Sequence, residues 1–170
     1  SANHTWPWSD AGTNAEDVFA ARYPAINAHR KQFRDRAMKR QDQGRFWWEL
    51  RACDYWDAFD KPKIVWPDIS KLPRFSMDTR RCYLGNTAYA IPMNDFYLLG
   101  VLSSWTTWFF ISKTAQPLRL RGDRWQYRLF AQFMEEIPIP DASDADKGLI
   151  GELAKTCSRI GTERYELQTK

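Results

Sequence analysis

The chain is poor in the residues from which most active sites are assembled. It has two histidines, His4 and His29, and three cysteines, Cys53, Cys82 and Cys157. None of them stand at metal-ligand spacing and no CxxC occurs, so neither a metal cluster nor a Cys–His or Ser–His dyad finds support. An odd number of scattered cysteines fits reduced, structural thiols and a cytoplasmic protein better than a disulfide framework. Long apolar runs are lacking too. The longest uncharged stretch, 96–112, is short for a membrane span and carries Ser103, Ser104, Thr106 and Thr107, which favours a buried helix. No signal peptide, repeat or low-complexity tract is visible, and the opening Ser1-Ala2-Asn3 without Met reads as an excised fragment with a cloning remnant. Glu135-Glu136 reads as a solvated acidic helix end rather than a catalytic pair. Pro67-Asp68 has no E-x-K strand after it to complete a nuclease motif.

What the chain does have is aromatic mass and clustered positive charge. Aromatics make up 15% of the 170 residues, with nine tryptophans, so a packed core is expected rather than disorder. The net charge is only +4, and its distribution says more than its total. Lys61, Lys63, Lys71, Arg74, Arg80 and Arg81 stand against Asp68 and Asp78 alone. Lys113, Arg119, Arg121, Arg124 and Arg128 stand against Asp123. Two central basic segments suit an anionic ligand, and equally a solvated basic face.

The densest stretch is 45–68, RFWWELRACDYWDAFDKPKIVWPD. Within it Phe46–Leu50 and Lys63–Trp66 read as strands, with Pro62 suited to the position before the second and a helical turn between them. Upstream, residues 1–13 read as a lead-in loop. Thr13 or Asn14 caps a short helix, and Pro24 opens a second helix running to about Gln41. Across the two helices Phe19, Tyr23, Ile26, Phe33 and Ala37 fall at helical spacing, which leaves Arg30, Lys31, Arg34, Arg36, Lys39 and Arg40 largely outward. Downstream, 74–78, 82–84 and 88–91 read as strands, with Arg80-Arg81 in a turn. Asn94 or Asp95 caps a central helix kinked at Ser103-Ser104, in which Trp105 and Trp108 belong to the core, as Trp47 and Trp48 do. Leu118-Arg119-Leu120-Arg121 alternates as a half-buried strand with both arginines on one side. Gly122-Asp123 turns it back through Trp125-Gln126-Tyr127. A short helix over 129–136 precedes extended Ile137-Pro138-Ile139-Pro140. Ser143 and Asp146 form a capping pattern for a last helix to about Tyr165, with Leu149 or Ile150, Leu153, Cys157 and Ile160 as its apolar stripe. Together these imply an α+β fold: a central mixed or antiparallel sheet with a buried helix, flanked by N- and C-terminal helices. The expected organisation is a single domain over 14–170, with helical arms at 14–43 and 143–165 and an α+β core at 45–140.

Several of these segments carry a resemblance. RFWWELR, DAFDKPKIVWPDI, RFSMD, the run Asn94–Ser104 and the Glu136–Pro140 segment resemble, in order and spacing, the target-recognition region of type IIG restriction–modification enzymes, the TaqI-like C-terminal specificity domain of adenine methyltransferase fusions. That family tends to show YLLGLLNS and LPIP in the last two places; here Ser103 stands for the Asn and Ile137 for the Leu. The resemblance spans about 16–165. It implies recognition of double-stranded DNA for an upstream methyltransferase domain in the same chain, in a bacterial or archaeal cytoplasm. S-adenosylmethionine would be held in that catalytic domain, because this chain has neither a glycine-rich loop after a strand nor an N-P-P-aromatic tetrapeptide. By this reading the fragment is not itself an enzyme and carries no cofactor, and its two helical arms pack together as a connector.

Side-chain chemistry selects the DNA-binding candidates. Arginine bridges guanine O6 and N7, asparagine pairs with adenine, and lysine mostly holds phosphate. The candidates are Lys61 and Lys63 around Pro62, Arg74, Arg80 and Arg81 at a turn, Asn86 as base reader or plain turn former, Lys113, Arg119 and Arg121 on the alternating strand, and Arg124 just after its turn. Two alternatives stay open: a single-strand or RNA-binding module stacking bases on Trp and Tyr, and a protein-interaction domain with no nucleic-acid role.

Overall fold

The computed structural model describes residues 4–168; Ser1, Ala2 and Asn3, at the start of the expected lead-in loop, lie outside them. The backbone forms two compact units, Ser1–Trp56 and Asp57–Lys170. The first is helical and aromatic. A 3₁₀ turn, Gly12–Asn14, leads into α1 (Ala15–Arg22), α2 (Pro24–Lys31) and α3 (Arg34–Met38). Pro24 sits in the first turn of α2, where its missing N–H is not needed. The expected single helix to Gln41 is broken, because the Gln32 amide donates to the His29 carbonyl at 2.9 Å and the Phe33 N–H falls back on Arg30.

Phe46–Leu50, expected as a strand, is a tight turn, and its cause is Glu49. This carboxylate is buried, yet it accepts from Trp8 Nε1 at 2.8 Å and from the Arg45 N–H at 2.9 Å, folding the chain back on itself. Gly44 permits the return, since a Cβ there would lie 2.7 Å from the Leu50 carbonyl. Trp48 is sandwiched between Phe19 and Phe46, with ring centroids 5.0 and 4.8 Å away. Arg30 and Arg40, expected outward, turn inward to this loop. Arg30 donates to the Trp48 carbonyl, and Arg40 donates to the Trp47 and Glu49 carbonyls at 2.9 Å each. Guanidinium groups supply the donors that a β-ladder would have provided.

The second unit begins in α4 (Trp56–Phe59) and continues as β1 (Lys63–Pro67), β2 (Ile69–Ser70), β3 (Ser76–Asp78) and β4 (Ala88–Ile91). Then follow α5 (Phe96–Leu102), α6 (Trp105–Thr114), β5 (Gln116–Arg121), β6 (Arg124–Arg128), α7 (Ala131–Met134) and α8 (Asp144–Gln168). The fold is α+β with antiparallel sheets and flanking helices. Its strands form two three-stranded sheets rather than one, in the orders β3-β1-β4 and β2-β6-β5. Asp68 divides them: its N–H donates to Thr87 at 2.8 Å and its carbonyl accepts from Leu129 at 2.7 Å, so one chain passes between sheets without a gap in backbone pairing. The core gathers Ile64, Trp66, Leu99, Leu102, Trp108, Ile111 and Leu129, and Trp66 Nε1 donates to the Leu129 carbonyl at 2.9 Å.

Two of the expected caps form: Asp95 accepts from the Leu98 N–H at 2.9 Å and Ser143 from the Asp146 N–H at 3.2 Å. Asn14, at the N-cap of α1, makes no side-chain capping bond, and Ser104, expected as part of a kink, caps α6 by accepting from the Thr107 N–H at 3.1 Å. The predicted strand over 82–84 is a loop, because the Asp78 carboxylate captures the Arg80 and Cys82 N–H groups. Cys82 and Cys157 are exposed, so they are not packed thiols. Trp105 is 66% exposed, not core; it shares a helix face with Phe109, 64% exposed. Along α8 the expected apolar stripe holds only at Ile150, which is half-buried and faces Gly100 of α5. Gly151 and Ala154 are buried against α5, whereas Leu149, Leu153, Cys157 and Ile160 are exposed. A close helix pair selects small residues at its seam: a Cβ on Gly100 of α5 would meet Ile150 Cγ2 at 2.6 Å and its carbonyl at 3.4 Å. Gly100→Val is therefore expected to destabilise the second unit by about 1–3 kcal/mol through overpacking, seen as a lowered urea midpoint with the slope unchanged.

Candidate nucleic-acid interface

Strands β5 and β6 form a ribbon whose positive charge follows from its register. The Gly122-Asp123 turn has positive φ only at Gly122 (70°), as a type II′ turn requires. The pairs are then Arg121 with Arg124, Leu120 with Trp125, and Arg119 with Gln126. Residues directly opposite share a face. One face of the ribbon therefore carries Arg119, Arg121, Arg124 and Gln126, and the reverse carries Leu120 and Trp125. A register shift between Pro117 and Arg119 sets Leu118 apart as a bulge, which bends and twists the strand. Every residue of β5 is exposed, so the half-buried strand expected from the alternation is a free-standing edge.

The arginines of that face differ in how they are held. Arg119 has a local partner, its Nε donating to Gln126 Oε1 at 2.9 Å. Arg121 and Arg124 stand directly opposite each other, and among the described residues neither has an ion pair. Facing like charges destabilise a strand pair. Lys71 adds a further cation, its ammonium donating to the Arg121 carbonyl.

The remaining candidates lie elsewhere on the second unit. Lys63 is only 1% exposed, and its ammonium is held by Asp78 at 2.7 Å and the Phe59 carbonyl at 2.8 Å. It serves the fold and leaves the set of candidates, because no phosphate can approach it. Partial burial acts to raise the Asp78 carboxyl, but the hydrogen bond from Lys63 and those from the Arg80 and Cys82 N–H groups outweigh it and hold the pKa below its ordinary range. Lys61, Arg80 and Arg81 are exposed around the start of β1, where Lys63 pairs with Asp78; Arg81 takes a left-handed φ of 59°. Arg74 and Asn86 are exposed before β3 and β4, at the other end of β1, and Asn86 lies in the turn leading into β4. The five residues of β1 put these groups about 14 Å apart at about 3.4 Å per residue. Lys113, in the last turn of α6, lies 5.3 Å from the centroid of the Phe109 ring.

The model of the TaqI-like C-terminal specificity domain matches residues 22–139, well over half of the chain. The chain belongs to that family. The specificity domain serves DNA recognition in restriction–modification enzymes, and the exposed cationic ribbon lies inside the matched span. No curated protein matches the chain. Among the described residues of the specificity domain no helix is long and apolar enough to cross a membrane, and no group of three His, Cys, Asp or Glu is placed to hold a metal. Two side chains at the ribbon, Gln126 on β6 and Lys71 beside Arg121, were not among the DNA-binding candidates read from the sequence. Gln126 was findable, since a two-residue turn at Gly122-Asp123 fixes its pairing with Arg119. Lys71 was not, because it reaches Arg121 across fifty positions of sequence.

Proposed function

We propose that this specificity domain recognises double-stranded DNA sequence-specifically and directs an adenine-specific methyltransferase, with or without a fused endonuclease, in a type IIG system of the bacterial or archaeal cytoplasm. Both compact units would serve one recognition module, as a family match running through both supports. The observation that carries the DNA reading is the Arg121–Arg124 pair, opposed across a strand pair with no carboxylate bridged to either among the described residues. A polyanion relieves that repulsion, whereas a neutral partner does not. The domain would supply no catalytic group: S-adenosylmethionine belongs to the methyltransferase, which flips its target base while this domain holds the duplex.

Fluorescence anisotropy of the chain with random duplex, single-stranded DNA and RNA, titrated in salt, tests this. The expected result is tightest binding to duplex, with log affinity falling linearly against log salt. Preference for single strands would transfer the role to stacking on exposed aromatics such as Trp105 and Trp125. Absence of binding even at low salt would leave a protein-interaction role.

A further inference from the structure

Resting on the DNA-recognition reading, we infer that Arg119 is the base-reading residue of the β5–β6 ribbon, that its target is a guanine, and that Gln126 is its positioning residue. The cations of this face are not equivalent. Among the described residues Arg121 and Arg124 at the turn have no ion-pair partner to fix them, and loosely held charge suits phosphate, which accepts from many directions. Arg119, next along the same face, is held by one bond, Nε to Gln126 Oε1 at 2.9 Å.

That bond uses the donor on the side of the guanidinium and leaves both terminal nitrogens, Nη1 and Nη2, as a two-pronged end. In the major groove only guanine offers two adjacent acceptors, O6 and N7, on one base edge. A fork with two donors matches it and meets a repulsive amino group on adenine or cytosine. Holding Nε also restricts the side-chain rotamers before DNA arrives, so less freedom is lost on binding. Gln126 would itself suit adenine, but that needs Oε1 to accept from the adenine amino group while it already accepts from Arg119. The ribbon is narrow enough to enter the groove. Paired strands lie about 4.8 Å apart, and the major groove is about 12 Å wide and admits a two-stranded ribbon. The opposed arginines then stand at the tip of the inserted ribbon, beside the backbone phosphates.

The test is selection of preferred duplexes from a random pool by the whole chain and by Arg119→Ala, Arg119→Lys and Gln126→Ala, each first checked for native circular dichroism. The expected outcome is a selected site containing one guanine whose preference disappears in Arg119→Ala while the other positions stay the same, with a roughly ten- to hundredfold loss on the parent site. Gln126→Ala should weaken the same preference without abolishing it. Arg119→Lys keeps the charge and is expected to retain much of the affinity while losing that preference. Replacing the guanine by 7-deazaguanine, which lacks the N7 acceptor, should weaken the parent several-fold and leave Arg119→Ala unchanged. A parent that selects a site which Arg119→Ala selects identically overturns the inference and leaves DNA recognition standing. So does duplex binding with no selected sequence. No duplex binding at all overturns the recognition reading itself.

Discussion

Replacing Asp78 by alanine is expected to cost the second unit about 3–5 kcal/mol, the usual penalty for stranding one member of a buried ion pair. Lys63 is 1% exposed and its ammonium lies 2.7 Å from the Asp78 carboxylate. Without that carboxylate the charge is left with the Phe59 and Lys61 carbonyls at 2.8 and 3.4 Å, which carry partial charge only. The same substitution also orphans the Arg80 and Cys82 N–H groups and frees the left-handed turn at Arg81. Urea denaturation reads the loss directly. Adding Lys63→Met to the alanine variant should recover a large part of it, since an apolar pair in place of a buried ion pair is often neutral or better. A variant that loses nothing would mean the ammonium reaches water. The pH dependence has a fixed sign. The folded pKa of Asp78 is depressed from its ordinary 3.8, so the contribution is complete above that value and drains as pH falls through the lower folded one. The gap between parent and Asp78→Ala should therefore narrow in acid.

How much of this was legible beforehand depended on the range of the interactions. Asp95 and Ser143 were readable as caps because a cap joins residues three apart, and the Gly122-Asp123 turn because its pairing is local. Phe46–Leu50 had the composition of a strand, but its conformation is set by Glu49 binding Trp8 Nε1, forty-one positions away. Arg30 and Arg40 had the periodicity of a solvated face, and no local pattern reveals that a loop would take their donors. Most of the α8 stripe failed for a related reason: hydrophobicity marks which side chains prefer burial, while close packing on α5 favoured Ala154 against Gly100 and Gly151 against Phe96 and Tyr97. For the interface, the alternation of Leu118–Arg121 put both arginines on one face. Lys63 was misassigned to DNA binding because sequence cannot tell an outward lysine from one buried on a carboxylate of the neighbouring strand.

Neutralising Arg121 and Arg124 together should move stability and binding in opposite directions, which sets them apart from a structural pair such as Lys63 and Asp78. The two guanidinium groups face each other in the β5–β6 ladder, and no counter-charge is bridged to them among the described residues. Arg121→Gln with Arg124→Gln removes a like-charge pair worth roughly 0.2–1 kcal/mol of repulsion, so the urea midpoint is expected to hold or rise slightly. Duplex affinity is expected to fall about tenfold for each charge-assisted hydrogen bond to phosphate that is removed. The slope of log affinity on log salt should shrink by about two, near one for each phosphate released. Because binding to phosphate carries no sequence information, affinity should drop equally on every duplex and the selected sequence should stay unchanged. Charge reversal sharpens the contrast. Arg121→Glu opposes a carboxylate to Arg124 and converts the repulsion into a cross-strand ion pair. The hairpin should then become more stable as the domain becomes a poorer ligand for DNA, an outcome that misfolding cannot mimic. A variant that binds duplex as well as the parent would mean the ribbon tip points away from the phosphates.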